Sequence, residues 1–441
     1  MTELNLKGTK NGLIPKEWEL VSLGNFITHK KGFAFKSQWF KDFGNPVVKV
    51  KDLTSDSIDM EHCVFLDIEK SKEFDDVKLD ENDILIATVG SWPTNPESVV
   101  GKVVKVPKKS SGAFLNQNAV RIRTKNNELL NQIYTFYRLK NKDFQNYLIS
   151  GAQGSANQAS ITLNDIFGFE FYLPPIKEQE NIAKLFYSID KKIEINQKMN
   201  QTLEEIGQAI FKYFFVHFEF PNEEGKPYKS SGGEMVDSEL GKIPKGWEVQ
   251  EIGTIIETTG GGTPSTKKEE YWKNGDIQWF SPRDITANRQ MFISNSEKRI
   301  NSLGLEKSSA RLFQPYSLMM TSRATVGELS INTIKASTNQ GFITCIPNER
   351  LSTFYLYYWI KMNKEYIISL ASGSTFREIS KSTFRSLKVV IPDGNVLKSY
   401  DSLLEPIFNQ IQTLQSQNEN LSQIRDSLLP KIMSGKIRVI Q

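Results

Sequence analysis

NGLIPKEWELVSLG, residues 11–24, returns in the second half of the chain as LGKIPKGWEVQEIG, residues 240–253. The echo continues in order from there. WFK (residues 39–41) is answered by YWK (271–273), and KDL (51–53) by RDI (283–285). ATVG at 87–90 recurs at 324–327, NQN at 116–118 becomes NQG at 339–341, and the Gly-Ser pair at 154–155 recurs at 373–374. LPP (173–175) matches IPD (391–393), and each copy then runs into one long helical pattern. Solenoid repeats have periods of roughly 20–50 residues, far shorter than this one. The pattern predicts a duplicated domain, with two similar surfaces held at a fixed separation.

A chain of 441 residues fits two or three domains, and each half is long enough to bury its own core. Apolar residues make up 39% and charged residues 24%, as in ordinary globular proteins. No apolar run approaches the ~20 residues of a membrane-spanning helix, and the start, MTELNLKGTK, lacks the apolar core of a signal peptide. Cys63 and Cys345 lie in different halves and imply no disulfide framework, so a cytoplasmic location and no membrane partner are expected. The net charge of +4 is unevenly spread. An acidic stretch over 52–83 neutralises the first block, whereas 241–392 carries an excess of basic side chains, a modest footprint for a polyanion.

Short runs rich in Val, Ile and Phe, such as PVVKVKDL and DILIATVG, alternate with Gly, Asn and Asp turns and read as strands. A helical stretch is expected over 128–149, with a counterpart over 353–370. Each block is therefore α+β and strand-rich. After Pro174-Pro175, which suit a helix start, the period changes. Ile182, Ile189, Asn196, Leu203 and Ile210 recur every seven residues, interleaved with Leu185, Met199 and Ile206. The C-terminal segment repeats the design with Leu404, Ile411, Asn418, Arg425 and Ile432, interleaved with Ile407, Leu414, Leu421 and Leu428. Such seams predict two long helices packed on each other. Asn196 and Asn418 align near the middle, where a buried Asn penalises wrong registers. Two equivalent domains related by a two-fold axis would run the helices antiparallel. About 28 residues at ~1.5 Å each make a spacer of ~42 Å, or ~12 base pairs of duplex at ~3.4 Å. The expected organisation is a first domain over 1–175, a helix over 176–217, a linker over 218–240, a second domain over 241–392, and a second helix with its tail over 393–441.

Catalytic constellations are not evident. His29, His62 and His217 are the only histidines, and none has metal-ligand spacing. There is no phosphate-binding loop and no nucleophile elbow, and Gly260-Gly261-Gly262 does not continue into a dinucleotide fingerprint. Pro174-Pro175, between Leu173 and Ile176, is not the Asn/Asp-Pro-Pro-aromatic element that holds a flipped adenine. No catalytic residue and no metal site are expected.

Recognition chemistry is better represented. Loops of Gly, small polar residues, amides and cations suit phosphate positioning and base-edge contacts. The DNA-binding candidates in the first block are Lys30, Lys31, Lys36, Ser91, Asn116, Gln117, Gln153, Ser155 and Asn157. In the second they are Thr263, Ser265, Lys267, Ser322, Arg323, Asn339, Gln340, Ser374, Thr375 and Arg377.

Taken together, these strings resemble the DNA-specificity subunits of type I restriction–modification systems. The matching pieces are IPKEWE and IPKGWE, GGTPST with YWKNGDIQWFSPRDI, DILIATVGSWPTNPESVVGKVV, LPPIKEQENIAKLF and LLPKIMSGKIRV, and they span essentially the whole chain. The resemblance implies two target-recognition domains joined by two antiparallel spacer helices, each domain reading one part of a split site in double-stranded DNA. It implies a non-catalytic subunit that binds two copies of a methylase subunit, which carries S-adenosylmethionine and methylates adenine. A restriction (nuclease–translocase) subunit would join them. One departure stands out. The second helix opens with PDGNVLKSY and lacks the second Pro and the Glu-Gln pair of PPIKEQ, so the symmetry of the methylase-binding helices is imperfect here. The loops also differ between the blocks (HKKGFAFKS against TGGGTPSTKK), which predicts an asymmetric target. The competing readings are a self-contained methyltransferase or nuclease, and a coiled-coil adaptor with no DNA role.

Overall fold

Two β-hairpins open the two copies of the repeat. Leu6–Thr9 pairs with Gly12–Pro15, and Met235–Ser238 pairs with Gly241–Pro244. Gly12 and Gly241 begin the return strands at φ +107° and +96°, a region where a Cβ is strained. Each hairpin leads to a buried tryptophan, Trp18 or Trp247. The structure, a computed structural model, describes residues 6–9, 12–54, 57–92, 99–155, 158–373 and 377–440.

The chain forms two compact units, residues 1–193 with 420–441, and residues 194–419. In the first unit an antiparallel sheet has the order Val103–Lys105, Ile84–Ala87, Ala119–Thr124, Ile27–Lys31. A second sheet contains the parallel pair Phe114–Leu115 and Asn45–Val48. The second unit repeats this plan. Its larger sheet includes Glu257–Gly260, Phe342–Ile346, Leu318–Thr321 and Leu329–Asn332, and its smaller one has the parallel pair Ile277–Phe280 and Ala336–Thr338. Ile84–Ala87 and Leu318–Thr321 are buried along their whole length, as expected of short, continuously apolar central strands. Helices Gln132–Lys140 and Thr353–Met362 supply matching aromatic cores. The architecture is mixed helix and sheet.

Backbone register corrects one of the sequence echoes. Thr88 and Ser322 occupy the same place, because their carbonyls accept Ile161 N and Ile379 N, both at 3.0 Å, and their amides donate to Asn118 O and Gly341 O, both at 2.8 Å. The ATVG that begins at Ala87 therefore starts on a strand, whereas the one beginning at Ala324 starts beyond the equivalent strand, which ends at Thr321. The strings match but the positions do not.

The long helices are Ile176–Phe215 and Gly394–Met433, 40 residues each, against about 28 inferred from the seam. Each contributes one end to each unit. In the second unit Asn196 Nδ2 donates to Asn418 Oδ1 at 2.9 Å, while Phe214 further along packs on Tyr400, which precedes Asn418. The two helices therefore run antiparallel there. In the first unit Ile182 and Phe186 share a core with Leu429, Ile432 and Met433, and Arg425 donates to Asp190 at 2.8 Å. Ile182, Leu404 and Ile411 are buried, and Ile189, Leu203, Ile210, Leu421 and Leu428 are half-buried. Met199 and Ile206, expected inside the seam, are exposed. A straight helix turns every 3.6 residues, so its inward face drifts from a seven-residue pattern. Phe186, Phe211 and Phe408 occupy the inward positions and pack on domain helices.

The segment expected as a linker is folded against the second domain. Phe220 is buried, stacking on Trp247 at 5.0 Å and on Tyr228 at 4.7 Å.

Candidate nucleic-acid interface

In each unit the ends of the main-sheet strands and their loops meet at one tip, built around a glycine pressed against an asparagine loop. A Cβ on Gly32 would lie 2.1 Å from Asn116 O, and one on Gly261 would lie 2.0 Å from Asn339 O. Gly32 N donates to Ala119 O at 3.0 Å, and Gly262 N to Thr338 O at 2.9 Å. Only glycine permits this approach. The sequence carried the signal, KKGF with NQN and TGGG with NQG, but not the contact.

Asn339 Oδ1 accepts Gly341 N at 2.9 Å, so this side chain shapes its own turn. Asn116 is half-buried, with Nδ2 3.5 Å from Phe33 O. Beside these residues Gln117 and Gln340 are exposed, and Thr263 donates to Gln340 Oε1 at 2.6 Å. Lys30 is ion-paired with Asp76, whereas Lys31, Lys36 and Lys267 are exposed. Ser265 is exposed, and its carbonyl accepts Trp272 Nε1 at 3.2 Å. Ser91 and Ser322 are buried within the loops they build. Gln153 and Ser155 lie exposed on a β-extension that Gln158–Ser160 connects to Val89–Gly90. Asn157, Ser374 and Thr375 fall outside the described residues. Arg323 and Arg377 are both exposed, joined through Ala324 N donating to Arg377 O at 3.0 Å.

Two features escaped the sequence reading. Glu378 faces Arg323, with Oε2 3.7 Å from Nε. Aromatic groups also flank each glycine loop. In the first unit Phe33 lies 4.5 Å from Phe74, and Lys36 and Lys70 sit over Trp39. In the second, Trp272 meets Trp279 at 5.1 Å, with Lys298 over Trp272. The alternation of aromatics and lysines in FAFKSQWFK was the available clue. Exposed amides and cations are the side-chain types that contact phosphates and base edges in duplex DNA.

The Glu-Gln pair that distinguishes the first long helix is turned inward. Glu178 accepts Trp18 Nε1 at 3.0 Å and Arg438 at 2.6 and 2.8 Å. Gln179 accepts Asn131 N at 2.9 Å and donates to Pro174 O at 2.9 Å. In the second unit Ser352 donates to Asp401 at 2.6 Å, and Tyr400 is buried among Phe211, Phe214 and Phe215. The Glu-Gln part of the departure thus bears on how a domain is fastened, while Pro175 and the matching Asp393 are both exposed. An exposed apolar stripe lies elsewhere on the first helix, at Ile195, Met199, Ile206 and Tyr213.

Chemistry of other kinds is poorly provided. Burial pushes the Cys63 and Cys345 thiols up to about 12, so neither is a thiolate nucleophile near neutrality. Among the described residues one group, Asp59, Glu61 and His62, has metal-ligand proximity; His62 Nδ1 lies 2.9 Å from Asp59 Oδ2. No helix among the described residues is long and apolar enough to cross a membrane.

The sequence model of the family described as type I restriction modification DNA specificity domain matches twice, over residues 15–205 and 244–423. The chain is 24% identical over 446 aligned residues to a putative type I restriction enzyme MjaX specificity subunit of Methanocaldococcus jannaschii, covering 99% of this chain and 97% of that one. It is 36% identical over 193 residues to the MjaIX specificity subunit of the same organism, covering 43% of this chain and 44% of the relative. Its fold is similar to the crystal structure of a type I restriction–modification S subunit from M. genitalium, with a TM-score of 0.54, 14% identity, and coverage of 97% and 98%.

Proposed function

The chain belongs to the type I restriction–modification DNA-specificity family, and from that premise we propose that it is the sequence-reading subunit of a multisubunit methyltransferase–endonuclease. Each domain reads one half of a split site in double-stranded DNA, and the long helices set the gap. The observation that carries this reading is the duplicated tip. Gly32 on Asn116 and Gly261 on Asn339 are the same construction, yet they present different exposed side chains. Similar scaffolds with different donors suit an asymmetric bipartite target. The chain supplies no methyl-transfer or cleavage chemistry of its own. S-adenosylmethionine belongs to two partner methylase copies, which dock on the helices, where the stripe from Ile195 to Tyr213 offers apolar area. A restriction subunit completes the assembly.

Base-resolution methylation mapping with the cognate methylase tests this. An asymmetric motif of two parts with a fixed gap is expected. One continuous motif, or a perfect palindrome, overturns it. Methyl transfer by the chain alone would establish the enzyme reading. Absence of DNA binding that weakens as salt rises would favour the adaptor, because phosphate contacts release counterions.

A further inference from the structure

The two tips diverge sharply at one pair of positions. Val89 pairs with Ser160 in the first unit, and Arg323 pairs with Glu378 in the second. Both pairs directly follow the anchor shared by Thr88 and Ser322, so the backbone setting is the same. An apolar and a hydroxyl side chain in one domain are thus replaced by a guanidinium and a carboxylate in the other.

The fold does not need this ion pair. Arg323 and Glu378 are 53% and 48% exposed, and pairs that open to water contribute little to stability. The main chain already fixes the loop, through Ser322 N to Gly341 O, Ile379 N to Ser322 O, and Ala324 N to Arg377 O. Ala324 nevertheless sits at φ +65°, a strained setting for a residue with a Cβ, immediately after Arg323. Arginine offers a planar fork of donors that matches guanine O6 and N7, the commonest specific contact in the major groove. A neighbouring carboxylate repels phosphate and turns the fork by its Nε edge.

We propose that Arg323 is a base-reading residue of the second domain, recognising a guanine edge, and that Glu378 is its positioning residue. The first domain, with Val89 and Ser160 in these places, reads its half-site without an arginine there. This rests on the DNA-reading role proposed above, and the experiment separates the two. The full chain is assembled with its cognate methylase, and methylation motifs are mapped for wild type, Arg323→Ala, Arg323→Lys and Glu378→Gln.

Arg323→Ala relaxes one G·C position in one half-site, with discrimination falling on the order of 10- to 100-fold, while the other half-site and the gap stay unchanged. Arg323→Lys relaxes the same position, since a point charge cannot reproduce the fork. Glu378→Gln lowers discrimination at that position with the melting temperature unchanged, which a merely structural role would not do. If Arg323→Ala assembles poorly, the Lys and Gln variants carry the test. An unchanged motif in these variants, or uniform weakening across all sequences, overturns the inference. Absence of a bipartite motif in the wild type overturns the reading beneath it.

Discussion

The two units fasten their domains to the long helices by different chemistry. In the first, Glu178 gathers Trp18 Nε1 and the Arg438 guanidinium, and Arg438 also reaches Glu17 at 3.1 Å. In the second, the corresponding place is aromatic. Phe215 lies 4.8 Å from both Tyr355 and Tyr400, and 5.9 Å from Trp247. A duplicated scaffold can thus keep its geometry while exchanging a buried ion pair for tilted and edge-to-face rings. The exchange has consequences. An apolar cluster tolerates loss of one contact in proportion to its volume, whereas a buried ion pair fails abruptly when one partner is removed.

The largest expected effect tests the aromatic side. Phe215→Ala should destabilise the second unit by about 3–5 kcal/mol, read by denaturant unfolding, with protection of first-unit amides unchanged. A loss under about 1 kcal/mol would show that the rings are not what holds this domain. Glu178→Ala should cost the first unit about 3 kcal/mol, because Arg438 and Trp18 lose their acceptor. Glu178→Met combined with Arg438→Met should recover most of it. If the double variant is as unstable as the single, the ion pair itself contributes the stability.

Smaller effects refine the picture. Asn196 is fully buried and bonded to Asn418, and its Oδ1 has no hydrogen-bond partner among the described residues. Replacing both asparagines by Leu should raise the melting temperature while loosening register, visible as heterogeneous amide exchange along the helices. An unaltered exchange pattern would remove the register role.

The smallest effect compares Gln179 with Asp401. Both bond to the residue that caps the aromatic domain helix of their unit, Asn131 before Gln132–Lys140 or Ser352 before Thr353–Met362. Burial, against the Ser352 hydrogen bond, pushes the Asp401 carboxyl up to about 6, above its ordinary 3.8. The folded state therefore holds this proton more tightly than the unfolded chain, so stability falls as pH rises across that interval and stays lower above it. Asp401→Asn, a neutral amide like Gln179, should raise the melting temperature at neutral pH and leave it unchanged below about pH 4. An equal gain at both would assign the effect to packing.

Much of the scaffold was legible in local sequence. IPKEWE and IPKGWE marked the two copies of the repeat, and the long helical patterns located the two helices. The alignment of Asn196 with Asn418 marked residues that do meet. Legibility failed where contacts join distant segments. Arg438 meets Glu178 across 260 positions, and nothing near either residue announces the other. Glu178 and Gln179 are buried, which nothing in PPIKEQ marks. Met199 and Ile206 satisfied the heptad count and lie outside the seam. At the tips the sequence named Arg323 and the NQN and NQG loops, and missed Glu378 and the close approach of Gly32 and Gly261.

By itself, then, the sequence determined the duplication, the mixed character of each domain and the presence of two long helices. Periodicity and turn chemistry act over a few residues and are written locally. Tertiary structure alone decided which half of each helix serves which unit, which charges are buried, and which positions of the two copies are truly equivalent. Those depend on packing between segments far apart in the chain, where volume and hydrogen-bond satisfaction outweigh any local preference.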